Sequence, residues 1–411
     1  MRTPHGPAVA PSPMRARVAI STQFFTNGVL CASLLPRLPE IKRAFELSDT
    51  AYGFVVIAFA LGSILAANAA APLIRRFGAL QVAVGGTVLL AAALAGAGLS
   101  GAVVPFVVFM MLGGVFDALL DSGQNVHGLA VERWHGRSII NSLHASWSVG
   151  ATVGGVIGAT CAAFGVPIGT QMVVGAVVWA VVAVVAGFEG AVPAEHLRRV
   201  ESAADDGSAA ADGAATATRR RFPWKLLAPL VVLAICGTLV EDVANNWVTL
   251  YLNRDVGAPI GLAGLGFAAM LGAQFVGRLL GDPMTDRWGR AAVARSGGVL
   301  ILLGSLTAVL APHPLIAIAG FAIAGFGSAT LVPAAYAAAD NLPGIAHGSG
   351  VAMLGWLMRF GFLLTSPMIG IIADGVGLHL AMLVPALAGL VAAVIAHLVG
   401  RRERAGRPAR A

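Results

Sequence analysis

Four carboxylates stand in strongly apolar surroundings, where a charged side chain is costly and usually has a function. Asp117 and Asp121 lie four residues apart in GGVFDALLDSGQNVHG, and Glu241 and Asp242 are adjacent in GTLVEDVANNWVTLYL. Burial favours the protonated form of a carboxyl group, so such a group can take up a proton on one side of a barrier and release it on the other. The chemistry that these residues predict is reversible proton binding.

Each pair of acids also has a structural interpretation. Asp117 and Asp121 share one helix face at positions i and i+4, where neighbouring Ser, Asn or Arg side chains could hold them. We favour a functional role for Asp121 and leave both roles open for Asp117. Glu241 and Asp242 point about 100° apart on a helix, so we expect one to face a binding site and the other a neighbouring helix. Asn245 lies four residues after Glu241 and extends its polar face.

Other residues within apolar stretches allow two interpretations each. Arg359, in GWLMRFGFLL, needs a counter-charge, either in a permanent ion pair or in one that competes with protonation of its partner. Trp247 could stack on a bound solute or belong to the aromatic belt at a membrane surface. His127 and His144 lie near predicted helix ends, which favours a structural, solvated histidine at both positions.

The elements that carry these residues are predicted to be membrane-spanning helices. Of the 411 residues, 57% are hydrophobic and 11% charged, whereas soluble domains contain about 25% charged residues. A bilayer core requires about 20 apolar residues per spanning helix, and a lipid-exposed backbone must satisfy its own hydrogen bonds. Twelve stretches meet this requirement: 18–36, 50–74, 79–99, 102–129, 140–164, 167–189, 226–252, 258–281, 291–311, 314–338, 349–374 and 378–400. We therefore predict an all-α membrane protein with twelve transmembrane helices.

The distribution of basic residues predicts the orientation of these helices. If the N-terminus is cytoplasmic, 21 of the 27 Lys and Arg residues lie on the cytoplasmic side and four on the other, while Arg278 and Arg359 lie within helices. Such asymmetry follows the positive-inside rule, so we expect a multi-pass protein of the cell (inner) membrane with both termini in the cytoplasm. The net charge of +7 then reflects topology, and we expect the lipid bilayer, not nucleic acid, as its partner.

A polar segment divides the chain into two halves. The predicted units are a cytoplasmic tail at 1–17, a six-helix bundle at 18–189, a disordered cytoplasmic linker at 190–225, a second six-helix bundle at 226–400 and a basic cytoplasmic tail at 401–411. An offset of 211 residues relates glycines of the two bundles: Gly78 with Gly289, Gly114 with Gly325, and Gly150 with Gly361. Two six-helix pseudo-repeats are typical of secondary transporters, which bind solute between the halves near the membrane midplane.

The turn between the eighth and ninth predicted helices contains charges that could bridge helix ends in one conformation and release them in another. This segment reads TDRWGR at 285–290, and its counterpart in the first half has Arg75 where an acid would be expected. We therefore assign a candidate gating role to the second-half turn alone. Its candidate residues are Asp282, Asp286, Arg287 and Arg290.

Enzyme chemistry has no recognisable basis in the sequence. It lacks the phosphate-binding loop of nucleotide-driven pumps, a zinc-protease H-E-x-x-H pair, a C-x-x-C pair and a G-x-S-x-G elbow. The cysteines, Cys31, Cys161 and Cys236, are scattered among predicted spans and offer neither a disulfide framework nor a zinc site. We expect no enzymatic activity, no cofactor and no bound metal.

Over residues 15–400 the chain resembles the major facilitator superfamily, and its motifs resemble the MosC-like branch of that family. The matching residues are Asn27, Gly28, Ala32, Ser33, Arg37, Leu38, Pro39, Ile41, Lys42, Asp121, Asn125, Val131, Glu132, Arg133, Gly136, Arg137, His144, Trp147, Ser148, Gly150, Glu241, Trp247, Tyr251 and Leu252. The resemblance implies alternating access, with solute and protons moving through one central site. Asn246 stands where relatives usually have an acid, and Asp117, Asp242 and Arg359 are additional, which leaves the binding chemistry of this chain open.

The leading hypothesis is a proton-coupled secondary transporter of a small polar solute, sugar-like or polyol-like, acting as a monomer. Proton-driven efflux of drugs or amphipathic metabolites is the alternative, and a membrane sensor that binds without transport is a third hypothesis of another class. The candidate residues for proton coupling or solute binding are Asp121, Asn125, Glu241, Asp117, Asp242, Arg359, Asn27, Asn245 and Trp247.

Overall fold

The computed structural model describes residues 12–66, 69–136, 139–193, 224–340, 342 and 349–405. The start of the N-terminal tail, most of the linker and the end of the C-terminal tail therefore lie outside the described residues. The side chains of Asp282 and Arg359 also lie outside what is described.

All secondary structure in the described residues is helical. Twelve long helices follow one another: α1 (Pro13–Ser33), α2 (Asp49–Ala66), α3 (Ala79–Leu99), α4 (Val103–His135), α5 (Ile140–Ala163), α6 (Ile168–Glu189), α7 (Trp224–Asn246), α8 (Ile260–Trp288), α9 (Arg290–Val309), α10 (Pro314–Ser328), α11 (Ser349–Val376) and α12 (Val384–Ala405). Short helical segments extend or join them: Leu35–Arg37, Leu38–Ala44, Ala70–Phe77, Val248–Arg254, Leu331–Asp340 and Leu378–Ala381.

These helices confirm the predicted all-α membrane architecture. Within the described chain, eleven helices are long and apolar enough to cross a bilayer. The twelfth crossing is α5, which has 24 residues and no Asp, Glu, Lys or Arg, and whose many Gly, Ser and Thr residues lower its hydropathy. On α6, Val174, Val177, Val181 and Val185 are each more than half exposed. Such an apolar surface is unfavourable in water and suits contact with lipid.

Several helices extend beyond the predicted spans. The fourth helix continues to His135, and Trp224 and Lys225, which we assigned to the linker, begin α7. The predicted tails are also partly helical, because α1 begins at Pro13 and α12 continues to Ala405. The physical reason is that a helix need not stop at the edge of the hydrocarbon core, since polar residues of its last turns lie at the membrane surface.

The two halves repeat the same packing at the predicted offset of 211 residues. Gly78 and Gly289 each end one helix and begin the next, with positive φ angles of 88° and 82° that glycine adopts without strain. Close helix contacts recur at the same offset: Gly114 on Phe59 with Gly325 on Met270, and Gly86 on Leu120 with Gly297 on Leu331. The six-helix pseudo-repeat is therefore visible in the packing as well as in the sequence.

Small residues bring α1 and α5 into close contact. Gly150, Gly154 and Gly158 recur every four residues along α5, and a side chain at any of them would clash with a backbone carbonyl of α1. Close approach through glycine faces is a common way for membrane helices to pack, because lipid supplies little hydrophobic driving force between them. This packing places Trp147 of α5 beside Asn27 of α1.

The halves meet along two helix pairs, α5 with α8 and α2 with α11. We call the end of the bundle with the Gly78 and Gly289 turns the inner end and the opposite end the outer end. The closeness of α5 and α8 can be judged from the space that a Cβ atom would have at their glycines. The distance from such an atom to the nearest atom of the opposite helix would be 2.5 Å at Gly261, 2.6 Å at Gly264, 2.9 Å at Gly155 and 3.8 Å at Gly272. The two helices therefore diverge from the outer end toward the inner end.

Candidate functional site

A cavity of about 320 Å³ lies between the two halves and is lined by both. Its polar lining residues are Asn27, Asp117, Asp121 and Trp147 from the first half and Asp242, Asn245 and Asn246 from the second half. Its apolar lining includes Leu34, Leu38, Phe106 and Met110, which lie toward the outer end. Five of the candidate residues for coupling or binding thus line one cavity: Asn27, Asp117, Asp121, Asp242 and Asn245.

The stripe Asp117, Asp121 and Asn125 follows from the helical period of α4, because residues four apart lie on the same face. Asp121 is exposed to the cavity, and Asn125 donates from Nδ2 to its Oδ1 at 3.1 Å. This amide also donates to the backbone carbonyl of Asp121 at 2.9 Å. The Asp121 carboxylate therefore has one side-chain donor from its own helix and an open side toward the cavity.

Asp117 lies one turn further toward the outer end and belongs to a network with α1 and α5. Asn27 Nδ2 donates to Asp117 Oδ1 at 2.9 Å, and Cys31 Sγ donates to the same oxygen at 3.4 Å. Trp147 Nε1 donates to Asn27 Oδ1 at 2.5 Å, which fixes the orientation of that amide. The network holds Asp117 as a hydrogen-bond acceptor at the wall of the cavity.

Asp242 belongs to a second network, built from α7, α11 and α2. Ser366 Oγ donates to Asp242 Oδ2 at 2.5 Å, and Asn246 Nδ2 donates to Asp242 Oδ1 at 2.9 Å. Ser366 Oγ in turn accepts from Trp247 Nε1 at 3.1 Å. Tyr52 of the first half donates its hydroxyl to the backbone carbonyl of Asn246, so the network reaches across the interface.

Glu241 faces away from the cavity, toward α8. Its Oε2 accepts from Gln274 Nε2 and from the Arg278 guanidinium, both at 3.4 Å. The two adjacent side chains on α7 therefore point in different directions, as their angular separation predicts. Asp242 faces the cavity, and Glu241 faces a neighbouring helix. Its cationic contact is Arg278, which the sequence analysis had noted only as a cation within a helix.

Trp247 is fully buried and does not line the cavity in this conformation. Its ring packs edge-on against Tyr52, with ring centroids 5.0 Å apart. His127 is also buried, instead of solvated, and its Nε2 lies 2.8 Å from the Gly190 carbonyl. His144 is exposed on the inner part of α5, where its ring packs edge-on against Phe24 at 5.3 Å.

The outer end is closed by a cluster of charges around Asp49 that the sequence analysis did not single out. Arg254 of the second half donates from NH1 to both carboxylate oxygens of Asp49, at 2.8 and 2.9 Å, and Lys42 Nζ lies 3.1 Å from Oδ1. Asp374 accepts from the backbone N–H groups of Asp49 and Thr50 at 2.9 and 2.8 Å. We call these five residues the outer clamp, since they join the two halves.

Hydrogen bonds within and beside the outer clamp stabilise the charged form of Arg254. Partial burial lowers the pKa of the Arg254 guanidinium, but hydrogen bonds to Asp49 and Asp255, together with their charges, raise it above its ordinary value. The hydrogen bonds and ion pairs of the outer clamp, together with the Tyr52–Asn246 contact, join the two halves.

The predicted gating turn is exposed. The described structure places Asp286, Arg287 and Arg290 at the inner end in contact with solvent, and none of them has a hydrogen-bond or ion-pair partner among the described residues. In the part of the chain that is described, no group of His, Cys, Asp and Glu side chains could hold a metal ion.

Several site residues carried little sequence signal. Ser366 and Tyr52 lie in apolar stretches far from the motifs they complete, so their contacts with α7 could not be read from spacing. Cys31 had been considered only for disulfide or metal chemistry. Arg278, by contrast, had a usable signal, because a cation within a span needs a counter-charge.

The chain matches the Major Facilitator Superfamily over residues 20–240 and 230–411 and belongs to that family. It is therefore a multi-pass membrane transporter of the secondary type, a class that is generally not enzymatic. It is similar to membrane protein MosC of Rhizobium meliloti, with 27% identity over 391 residues that cover 95% of this chain and 91% of MosC. This similarity confirms the resemblance to MosC-like transporters that its motifs indicated.

Two further comparisons agree with this assignment. The uncharacterized transporter y4wD of Sinorhizobium fredii is 27% identical over 380 residues, which cover 92% of this chain and 96% of that protein. The crystal structure of a mutant of the nucleoside transporter NupG superposes with a TM-score of 0.73 at 13% identity, over 93% of this chain and 99% of that chain. At this identity the superposition shows a common fold.

Proposed function

We propose that the protein is a proton-coupled transporter that moves a small polar solute by alternating access through the cavity between its halves. The observation that carries this proposal is a cavity whose opposite walls present Asp117 and Asp121 on one side and Asp242 and Asn245 on the other. The two walls belong to different bundles, so a relative movement of the bundles would change the side of the membrane to which a bound solute is exposed. The closed outer end and the diverging inner ends of α5 and α8 support an inward-facing state of such a cycle.

Orientation is part of the proposal. The excess of Lys and Arg on the side of the Gly78 and Gly289 turns supports an inner end that faces the cytoplasm. We place the protein in the inner membrane with both termini cytoplasmic, and we propose that it acts as a monomer. The cavity of the described conformation then opens to the cytoplasm.

Asp121 is the proposed site of the coupling proton. Its carboxylate is exposed to the cavity and accepts one side-chain hydrogen bond, whereas Asp117 and Asp242 each accept at least two. Hydrogen bonds to a carboxylate stabilise its ionised form. Of the three acids, Asp121 therefore has the fewest side-chain donors that hold it in place and the best access for a proton. Asp117, Asp242, Asn27, Asn245 and Asn125 are proposed to bind or position the solute.

A polar solute with several hydroxyl groups suits the donors and acceptors of this cavity. Carboxylate and amide groups stand on both walls, and a cavity of about 320 Å³ lies at the lower end of the volumes that hold small molecules. Sugar-like and polyol-like solutes fit this description. Apolar residues at the outer part of the cavity, such as Phe106 and Met110, favour efflux of an amphipathic compound as the second candidate function.

The experiment begins with thermal unfolding of the purified protein against xylose, sorbitol, uridine and a set of cationic amphipathic dyes, because a ligand of the native state raises its stability by mass action. A radiolabelled form of the stabilising compound is then followed in proteoliposomes with an imposed pH gradient. Uptake into cells supports the leading function and expulsion the second. Stabilisation without flux would indicate a sensor and contradict transport.

Asp121→Asn tests the coupling step. This change mimics the protonated acid at nearly unchanged volume and removes a charge from a membrane-spanning helix, where charge is costly, so we expect insertion and solute binding to persist. Accumulation driven by the pH gradient should disappear, while solute exchange between equal pools continues. Glu189→Gln, which neutralises an exposed acid at the inner end of α6, is the matched control and should transport like wild type. pH-driven accumulation by Asp121→Asn at the wild-type level would contradict the assignment.

A further inference from the structure

We propose that Arg278 closes the inner end of the transporter by exchanging its partner Glu241 for Asp121 on the opposite half when the outer end opens. The inference rests on the alternating-access cycle proposed above and adds a residue to it. The proposed ion pair between Arg278 of α8 and Asp121 of α4 would join the halves at the inner end, as the outer clamp joins them at the outer end.

The register of α5 and α8 determines which residues of the two halves lie opposite each other at the level of Arg278. Ala163 faces Gly261, Ala159 faces Gly264 and Thr152 faces Gly272, so the helices run antiparallel. Continued by two turns toward the inner end, the same register places His144 of the first half opposite the turn of α8 that contains Arg278. The helices have diverged at this level, and a closing movement would bring these side chains together.

The charges on the two walls are complementary. His144 interacts electrostatically with Asp121 on its own half and with Arg278 on the other half, and the register above places it opposite the turn of α8 that contains Arg278. The acids on the first-half wall are Asp121 and, one turn away, Asp117. Of these two, Asp121 lies nearer the inner end and is exposed, so it is the acid that Arg278 would meet first.

Among the described side chains, Glu241 is the hydrogen-bond partner of Arg278, and it engages one nitrogen atom of the guanidinium. The Arg278–Glu241 contact is 3.4 Å long, whereas charge-assisted hydrogen bonds are about 2.7–2.9 Å long. The Arg278 side chain is also 39% exposed. A guanidinium has five N–H donors, so Arg278 can donate to another carboxylate in place of Glu241 without loss of any strong bond. In the outer clamp, by comparison, Arg254 binds Asp49 with two bonds below 3.0 Å.

The test measures the distances between the halves at each end with spin labels. Cys31, Cys161 and Cys236 are replaced by serine, and pairs of cysteines are introduced at exposed positions of the two halves. The inner pair is Met14→Cys with Ser296→Cys, and the outer pair is Phe164→Cys with Leu310→Cys. Arg254→Gln breaks the outer clamp, so it should raise the population with a closed inner end and an open outer end.

In this Arg254→Gln background, Arg278→Gln should reverse the shift by about fivefold, the change expected from one ion pair. Asp121→Asn should act in the same direction, and Glu241→Gln in the opposite direction, because it releases Arg278. Arg295→Gln, an exposed inner-end arginine that contacts His397, is the matched control and should leave both distances unchanged. Membrane accumulation and thermal unfolding of each variant show that it is folded.

The outcomes separate the two proposals. If Arg254→Gln does not raise the inner-closed population, the alternating-access cycle with this outer clamp is contradicted. If Arg254→Gln raises it and Arg278→Gln leaves it raised, or if Glu241→Gln and Arg278→Gln act in the same direction, the role of Arg278 is contradicted while the cycle stands.

Discussion

At the scale of single residues, the embedded acids differ in the hydrogen bonds that hold them. Asp117 and Asp242 accept from side chains on neighbouring helices, Glu241 contacts a cation, and Asp121 accepts from its own helix and faces the cavity. Several donors fix the position of a carboxylate, whereas a carboxylate with a single donor that faces a cavity is accessible to protons from solvent. These hydrogen bonds support the proposed division of roles, with Asp117 and Asp242 held in place at the cavity wall and Asp121 open to proton exchange.

Ser366→Ala tests how much the hydrogen bonds of the second network, around Asp242, contribute to stability. The hydroxyl of Ser366 donates to Asp242 and accepts from Trp247, so its removal leaves two buried groups short of a partner. Unsatisfied buried groups cost about 1–3 kcal/mol each, and we expect a clearly lower unfolding temperature of the purified protein.

Ser305→Ala is the matched control. Ser305 is also buried, and its hydroxyl has no hydrogen-bond partner in the described structure. Its removal should leave the unfolding temperature unchanged or raise it. Equal losses of stability in the two variants would mean that the Ser366 contacts do not stabilise the fold.

At the scale of elements, glycines on α5 decide how closely α1 and α5 approach. The close contact allows Trp147 to hold Asn27 and, through Asn27, Asp117. Helix packing therefore sets the geometry of the first-half wall of the cavity.

Gly154→Val tests this contact. The new side chain would clash with the Val29 carbonyl, and overpacking of a tight contact costs about 1–3 kcal/mol or more. We expect a lower yield of folded protein in the membrane and a lower unfolding temperature. Gly85→Val makes the same change on α3, where the added side chain has open space around it, and should be tolerated. A loss of folded protein in both variants alike would contradict a specific role for the α1–α5 contact.

At the scale of the whole molecule, two repeated bundles enclose one cavity, and their asymmetry lies in the contacts between them. The outer clamp joins Asp49 to Arg254 and Asp374 over separations of more than 200 residues in sequence. Each bundle has close helix contacts of its own, such as Gly114 on Phe59 and Gly325 on Met270. Rigid bundles joined at one end can rock about the cavity, which is the movement that alternating access requires.

Topology provides a prediction at this scale. A reporter that is active only in the periplasm, fused after residue 411, should be inactive, and one that is active only in the cytoplasm should be active, because the basic residues favour a cytoplasmic inner end. A cytoplasmic reporter fused within the outer connection after residue 311 should be inactive. Periplasmic activity of the C-terminal fusion would contradict the proposed orientation.

The sequence by itself determined the architecture, the repeat and the family. In lipid every backbone polar group must be bonded internally, so twelve apolar stretches of spanning length could only be helices. Glycines at a common offset, such as Gly78 and Gly289, marked positions where the backbone conformation or a close approach excludes other residues. Helical periodicity also showed that Asp117, Asp121 and Asn125 share a face.

Only the tertiary structure decided which partner each of these residues has. The rotation of a helix about its axis and the register between helices depend on packing against distant segments, such as Gly154 on α1, and local sequence does not specify them. The spacing of Glu241 and Asp242 therefore predicted that their side chains point in different directions. It did not predict which of them faces the cavity. For the same reason the links from Asp242 to Ser366, from Glu241 to Arg278 and from Asp49 to Arg254 became visible only in the folded protein.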